Sequence, residues 1–130
     1  MELQGMYDIF AICIGACVGA LMRWQLSVWL NPVFWVPLGT LMVNWVGAYL
    51  IGLLVGIFQA LPQLEPAWRN MLITGFLGAL TTFSTFSAEV IGFLVNQDYL
   101  KALLTSGLHL LGSLILTFIG LKTAGLLLSH

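Results

Sequence analysis

Four apolar runs, each long enough to cross a bilayer, dominate this sequence and leave little else to build with. A spanning helix needs about 20 mostly apolar residues. Four such segments fit, from about Met6 to Leu30, Leu38 to Leu61, Trp68 to Val95 and Ala102 to Leu128. All four prolines fall between them, Pro32 and Pro37 in the first connection and Pro62 and Pro66 in the second. A fixed φ and a missing amide donor end helices there at little cost. The third connection, Asn96-Gln97-Asp98-Tyr99, is short and polar. Trp24, Trp29, Trp35, Trp68 and Tyr99 sit near the span ends, where amphipathic rings favour the headgroup boundary. Composition closes off a water-soluble alternative: 60% of the residues are hydrophobic and 7% charged, against about one quarter charged in an average globular chain. The expectation is an all-α integral membrane protein, four transmembrane helices forming a single domain over residues 1–130. The start Met1-Glu2-Leu3-Gln4 has no basic side chain and no small-residue cleavage pattern follows, so the first span is expected to be kept.

Charge narrows the function. Four Lys/Arg against five Asp/Glu give a net charge of −1, without the basic footprint that a nucleic-acid partner requires. Two histidines supply neither a catalytic triad nor a metal-ligand set, so no enzyme is expected. Cys13 and Cys17, one turn apart in an apolar run, read as buried small hydrophobes. Short cytoplasmic loops normally carry an excess of basic residues. Here Arg69 and Lys122 fall toward one membrane face and Arg23 and Lys101 toward the other. A chain without bias inserts both ways up, and two opposed copies can pair about a two-fold axis in the membrane plane. Dual topology is therefore expected.

Helices in lipid associate through close backbone approach. Gly15 and Gly19 form such a pair in the first span, and Ala48, Gly52 and Gly56 a four-residue row in the second. Polar side chains inside a membrane face protein or a water-filled path. Thr105, His109, Ser113 and Thr117 recur at every fourth position and form a polar track on one face of the fourth span. Thr40 and Asn44 begin the small-residue row of the second span, and Asn44 can offer two amide hydrogens. Glu89 is expected to be paired, solvated in a vestibule or protonated, because a carboxylate at the bilayer centre costs about 2.5 kcal/mol or more.

The third span is the informative one. Gly75-Phe76-Leu77-Gly78 is followed by five hydroxyl residues, Thr81, Thr82, Ser84, Thr85 and Ser87. Hydroxyls compete for backbone hydrogen bonds and glycine adds entropy, so a break near Gly78 to Thr81 is expected. Breaks at this depth persist only when buried in protein or lining a cavity, and freed carbonyls there can hold a small cation. Phe83 and Phe86 lie about one turn apart, and the edge of such a ring carries partial positive charge that an anion can face.

The run from Gly75 to Ser87, with Gly39-Thr40-Leu-Met-Val-Asn44 and Gly19-Ala-Leu-Met-Arg23-Trp24, resembles the bacterial fluoride channels of the CrcB or Fluc type over nearly the whole chain. The resemblance implies a dual-topology antiparallel homodimer in the bacterial inner membrane. It implies two fluoride pores and a structural sodium ion at the dimer centre, held by the backbone carbonyls of Gly78 and Thr81. Phe83 and Phe86 would supply ring edges along the pores, Asn44 a pore hydrogen bond, and Ser113 and Thr117 the polar track. Arg23 would sit at a vestibule. Thr40 and His109 are further candidates for the fluoride pathway. The activity implied is passive fluoride export that confers fluoride resistance: hydrogen fluoride enters from acidic surroundings, ionises inside, and the anion leaves down the membrane potential.

Two other classes compete. A proton-coupled exporter of the small multidrug-resistance type also has four short spans, but it needs an acid embedded in the first span, which here holds Arg23, with Asp8 only near its start. A non-transporting membrane subunit would leave the polar track idle.

Overall fold

The computed structural model describes residues 2–129. Helix α1 (Glu2–Leu30) runs into a short 3₁₀ turn, Asn31–Val33, begun by Pro32. Helix α2 (Leu38–Ala60) starts beyond Pro37, whose carbonyl accepts from the Leu41 amide at 3.1 Å, and stops before Pro62. The third span opens at Pro66, two residues earlier than the apolar run suggests. A proline at the first helical position loses only an amide that has no helical partner anyway. From there α3 (residues 66–80) has an ordinary turn at Pro66–Arg69, a π-helix at Asn70–Leu77 and a last α turn at Gly78–Leu80. Thr81 (φ −81, ψ 155) and Thr82 (φ −150, ψ 121) are extended, and α4 (Phe83–Val95) follows. Helix α5 (Tyr99–Leu128) completes the chain.

Four segments, Leu3–Val33, Leu38–Ala60, Pro66–Val95 and Tyr99–Leu128, are long and apolar enough to cross a membrane. The turn between α4 and α5 closes with Gln97 in the left-handed region (φ 61). The Asp98 amide donates to Phe93 at 2.8 Å and the Gln97 amide to Leu94 at 3.0 Å. This Schellman cap usually takes glycine at the position of Gln97.

Two parallel pairs make the bundle. A Cβ on Gly15 would strike the Met71 carbonyl, and one on Gly19 the Phe76 carbonyl, so α1 lies directly on the backbone of α3. In the second pair, a Cβ on Gly52 would strike the Thr117 carbonyl and one on Gly120 the Tyr49 carbonyl. Residue numbers rise together along both contacts, in the second from Trp45 beside Leu108 and Gly112 to Gly56 beside Ala124, so α2 and α5 point the same way. Trp45 ties them further, its indole Nε1 donating to the Leu108 carbonyl at 2.9 Å across the space left by Gly112. Val43, Leu77 and Leu80 form the core where the pairs meet.

The outer faces of α1 and α5 are apolar and exposed, Phe10 and Leu111 among them, as hydrocarbon-facing surfaces are. One expectation needs correcting here. Cys13 and Cys17 are exposed on the outer face of α1, because the inward stripe of that helix is taken by Gly15 and Gly19.

Substituting Gly52 by Ala should destabilise the protein by about 1–3 kcal/mol, the usual cost of forcing a carbon into a packed contact. Gly125→Ala, where nothing lies within 4 Å, should be close to neutral. Thermal unfolding of the two variants in the same detergent checks the contrast.

Candidate functional site

An extended pair of residues inside an apolar bundle leaves backbone groups that water cannot satisfy. Two helices supply side chains for them. Asn44 of α2 meets Thr82 twice: its Nδ2 donates to the Thr82 carbonyl at 2.9 Å, and its Oδ1 accepts from the Thr82 amide at 2.7 Å. Arg23 of α1 donates from Nε to the Ala79 carbonyl at 2.9 Å. The Thr82 hydroxyl caps α4 by accepting from the Thr85 amide at 3.1 Å, which satisfies one of the orphan amides of a helix start.

The second hydrogen of the Asn44 amide points at His109 Nδ1, 3.0 Å away. Since the amide's oxygen faces the Thr82 N–H, its NH₂ end is the one facing His109. Nδ1 is then an acceptor, and the ring proton sits on Nε2. That Nε2 is buried and without a hydrogen-bond partner among the described residues. The imidazole stacks on Phe86 (centroids 4.4 Å, planes 25° apart), and Phe86 meets Phe83 edge to face (5.5 Å, 72°). One face of Phe86 is thus covered by His109, while Phe83 is 71% exposed.

These side chains border a groove of about 460 Å³ that runs between α2, α5 and the third span. Asn44, Phe83, Phe86, His109, Ser113 and Thr117 all line it, and so do Gly78 and Thr81. Among the described residues, no Asp, Glu, Lys or Arg does. The Thr117 hydroxyl hydrogen is spent on the Ala48 carbonyl at 3.0 Å, so this residue offers the groove only lone pairs.

Thr40 and Arg23 stand apart from the groove. One turn below Asn44, Thr40 is fully buried and its hydroxyl donates to Glu89 Oε1 at 2.5 Å. The side chain of Asn31 brackets it, Oδ1 accepting from the Thr40 amide at 3.1 Å and Nδ2 donating to Oγ1 at 3.3 Å. Reading Thr40 by its four-residue spacing to Asn44 missed this pairing with Glu89. The two lie 49 positions apart in sequence, and only the antiparallel approach of α4 to α2 joins them. Thr105, at the head of the expected track, is wholly buried and outside the groove, its hydroxyl without a partner among the described residues.

A small bundle of four apolar spanning segments, with a mostly apolar groove at the Thr81–Thr82 interruption that carries a few uncharged polar groups, belongs with the multi-pass membrane proteins. The profile of the family described as CrcB-like protein, Camphor Resistance (CrcB), matches residues 10–121. The chain is similar to a protein of Albidiferax ferrireducens named fluoride-specific ion channel FluC, 60% identical over 124 residues that cover 95% of each chain. A Paracidovorax citrulli protein of the same name is 52% identical over 117 residues, covering 90% of this chain and 93% of the relative. One from Chromohalobacter salexigens is 52% identical over 121 residues, covering 92% of both. This chain belongs to the CrcB family.

Replacing Asn44 by Ala should speed hydrogen exchange at the Thr82 amide and cost about 1–3 kcal/mol of stability, since a buried donor and acceptor lose their partners. Asn44→Asp keeps an acceptor for that amide and should preserve its protection. Exchange mass spectrometry over residues 78–86 distinguishes the two.

Proposed function

We propose that this chain is a fluoride-specific channel of the bacterial inner membrane, acting passively as an antiparallel homodimer with two pores and a structural sodium ion between the copies. The observation that carries the reading is the groove, which has hydrogen-bond donors and aromatic edges and, among the described residues, no fixed charge. Fluoride is compact and strongly hydrated, so a path must replace its water with donors. The Nε2–H of His109 and the Ser113 hydroxyl are of the right kind, and Asn44, whose two amide hydrogens go to Thr82 and to His109 Nδ1, acts on the path by holding the imidazole in the tautomer that carries that Nε2–H. With one face of Phe86 stacked on His109, its edge is the part left for an anion. A site that attracts an anion without trapping it suits conduction. A proton-coupled exporter would use a carboxylate in the groove, whereas Glu89 lies beyond it against Thr40.

The dimer is supported by the balanced placement of Arg23, Lys101, Arg69 and Lys122 and by the surface a single copy leaves open. Gly78 and Phe83 are exposed at the groove's rim, where an inverted second copy would close it. The extended Thr81–Thr82 pair is, in this reading, the break at which the two third spans cross.

The backbone accounting fits a cation there. In an unbroken helix the Gly78 carbonyl would take the Thr82 amide, but that amide goes to Asn44. The Thr81 carbonyl would take the Thr85 amide, but that one goes to the Thr82 hydroxyl. Neither carbonyl accepts a hydrogen bond among the described residues. Sodium is a hard cation that takes oxygen ligands, and the Gly78 and Thr81 carbonyls of two copies would offer it four.

In liposomes loaded with fluoride, the purified protein should release the ion within seconds of adding a potassium ionophore, followed with a fluoride electrode, while chloride stays inside. Loss of both selectivity and flux would defeat the proposal. Phe83→Ile and Phe86→Ile should each lower fluoride flux by about tenfold or more, corresponding to about 1.4 kcal/mol in the barrier, with dimer elution unchanged. Replacing sodium by N-methylglucamine throughout purification should lower the thermal stability of the dimer. A C-terminal tag should be reached by a membrane-impermeant reagent from both sides.

A further inference from the structure

The interruption of the third span removes a partner from one more carbonyl, that of Ala79. In a continuous helix it would accept from the amide of Phe83, four residues on, but Thr81 and Thr82 are extended and carry Phe83 into the next helix. It accepts from Arg23 Nε at 2.9 Å. This contact ends a stripe on α1: Gly15 lies on Met71, Gly19 on Phe76 and Leu80, and Arg23 reaches Ala79. The two glycines bring the backbones together so that the side chain one turn further along meets the last turn of α3. Cationic side chains that bond the final carbonyls of a helix also oppose its negative end.

We infer that Arg23 is a positioning residue: through Nε it caps α3 at Ala79 and so holds the last turn that presents the Gly78 and Thr81 carbonyls. Its Nη groups have no hydrogen-bond partner among the described residues, which leaves the charged end of the same side chain free for the vestibule. One guanidinium thus does two separable things, a hydrogen bond to the backbone by Nε and an attraction for anions by the rest. The first rests only on the geometry of α1 and α3. The second rests on the conducting role proposed above.

Gln separates them. Its amide nitrogen stands as many bonds from Cα as Arg Nε does, so Arg23→Gln keeps a donor for Ala79 and loses the charge, while Arg23→Met keeps the bulk and loses both. Hydrogen exchange over residues 76–82 should rise in Arg23→Met and stay near wild type in Arg23→Gln, with both variants eluting as the wild type does. In liposomes, Arg23→Met should lower the maximal fluoride flux by about tenfold. Arg23→Gln should recover most of that maximum while its half-saturating fluoride concentration rises, since the missing charge no longer draws the anion in. Unchanged exchange in Arg23→Met, or equal loss of protection in both variants, would overturn the assignment. If the wild type itself conducts no fluoride, the conducting role falls and the exchange comparison still decides the cap.

Discussion

An unpaired amide or carbonyl inside hydrocarbon costs several kcal/mol, and the middle of the third span confronts this protein with that cost at Thr81 and Thr82. The rest of the arrangement follows from how the cost is met. Asn44 brackets Thr82 from α2, Arg23 reaches Ala79 from α1, and the Thr82 hydroxyl starts α4. Each of the three comes from a different element. The interrupted backbone is therefore stable only once α1 and α2 have docked, and it in turn fixes where those helices can sit.

The glycines make that docking close enough to work. A hydrogen bond of 2.9 Å from Arg23 to a backbone carbonyl needs α1 at backbone contact with α3, which Gly15 and Gly19 allow. On the other side, Gly52 and Gly120 let α2 and α5 meet at the same range. That places His109 within reach of Asn44 and, through Phe86, beside the third span. Close packing and the groove are two outcomes of the same approach, since small residues bring the walls in and leave Asn44, His109 and Ser113 among the few polar side chains along a mostly apolar space.

Much of this was legible in the residues. Proline positions and the scarcity of charge set out four spans, and the Thr/Ser/Phe run with its flanking glycines pointed to the CrcB family. Ser113, Thr117 and His109 share a face because their spacing is close to the helical period, and they do line one groove. Spacing failed where a partner lay on another helix. Thr40 shares a face with Asn44, yet its hydroxyl belongs to Glu89 and its amide to Asn31. Thr105 continues the track in register but is sealed by its neighbours. The exposure of Cys13 and Cys17 was missed for a related reason: a helix that is apolar all round, in a solvent that is apolar too, has no polar side to show which face turns inward.

The sequence by itself determined the number of spans and the solvent they require, because those depend on composition and on residues that end helices locally, while the helix starts at Pro66 and Tyr99 lie two and three residues before the expected ones. Tertiary structure alone decided which backbone groups are paired and which are left over. Pairing across an interruption depends on side chains 38 and 56 positions away, and no local pattern encodes which of them will arrive. The tautomer of His109 shows the same division, since the ring is visible in the sequence but its proton is set by an amide that is itself oriented by the Thr82 backbone.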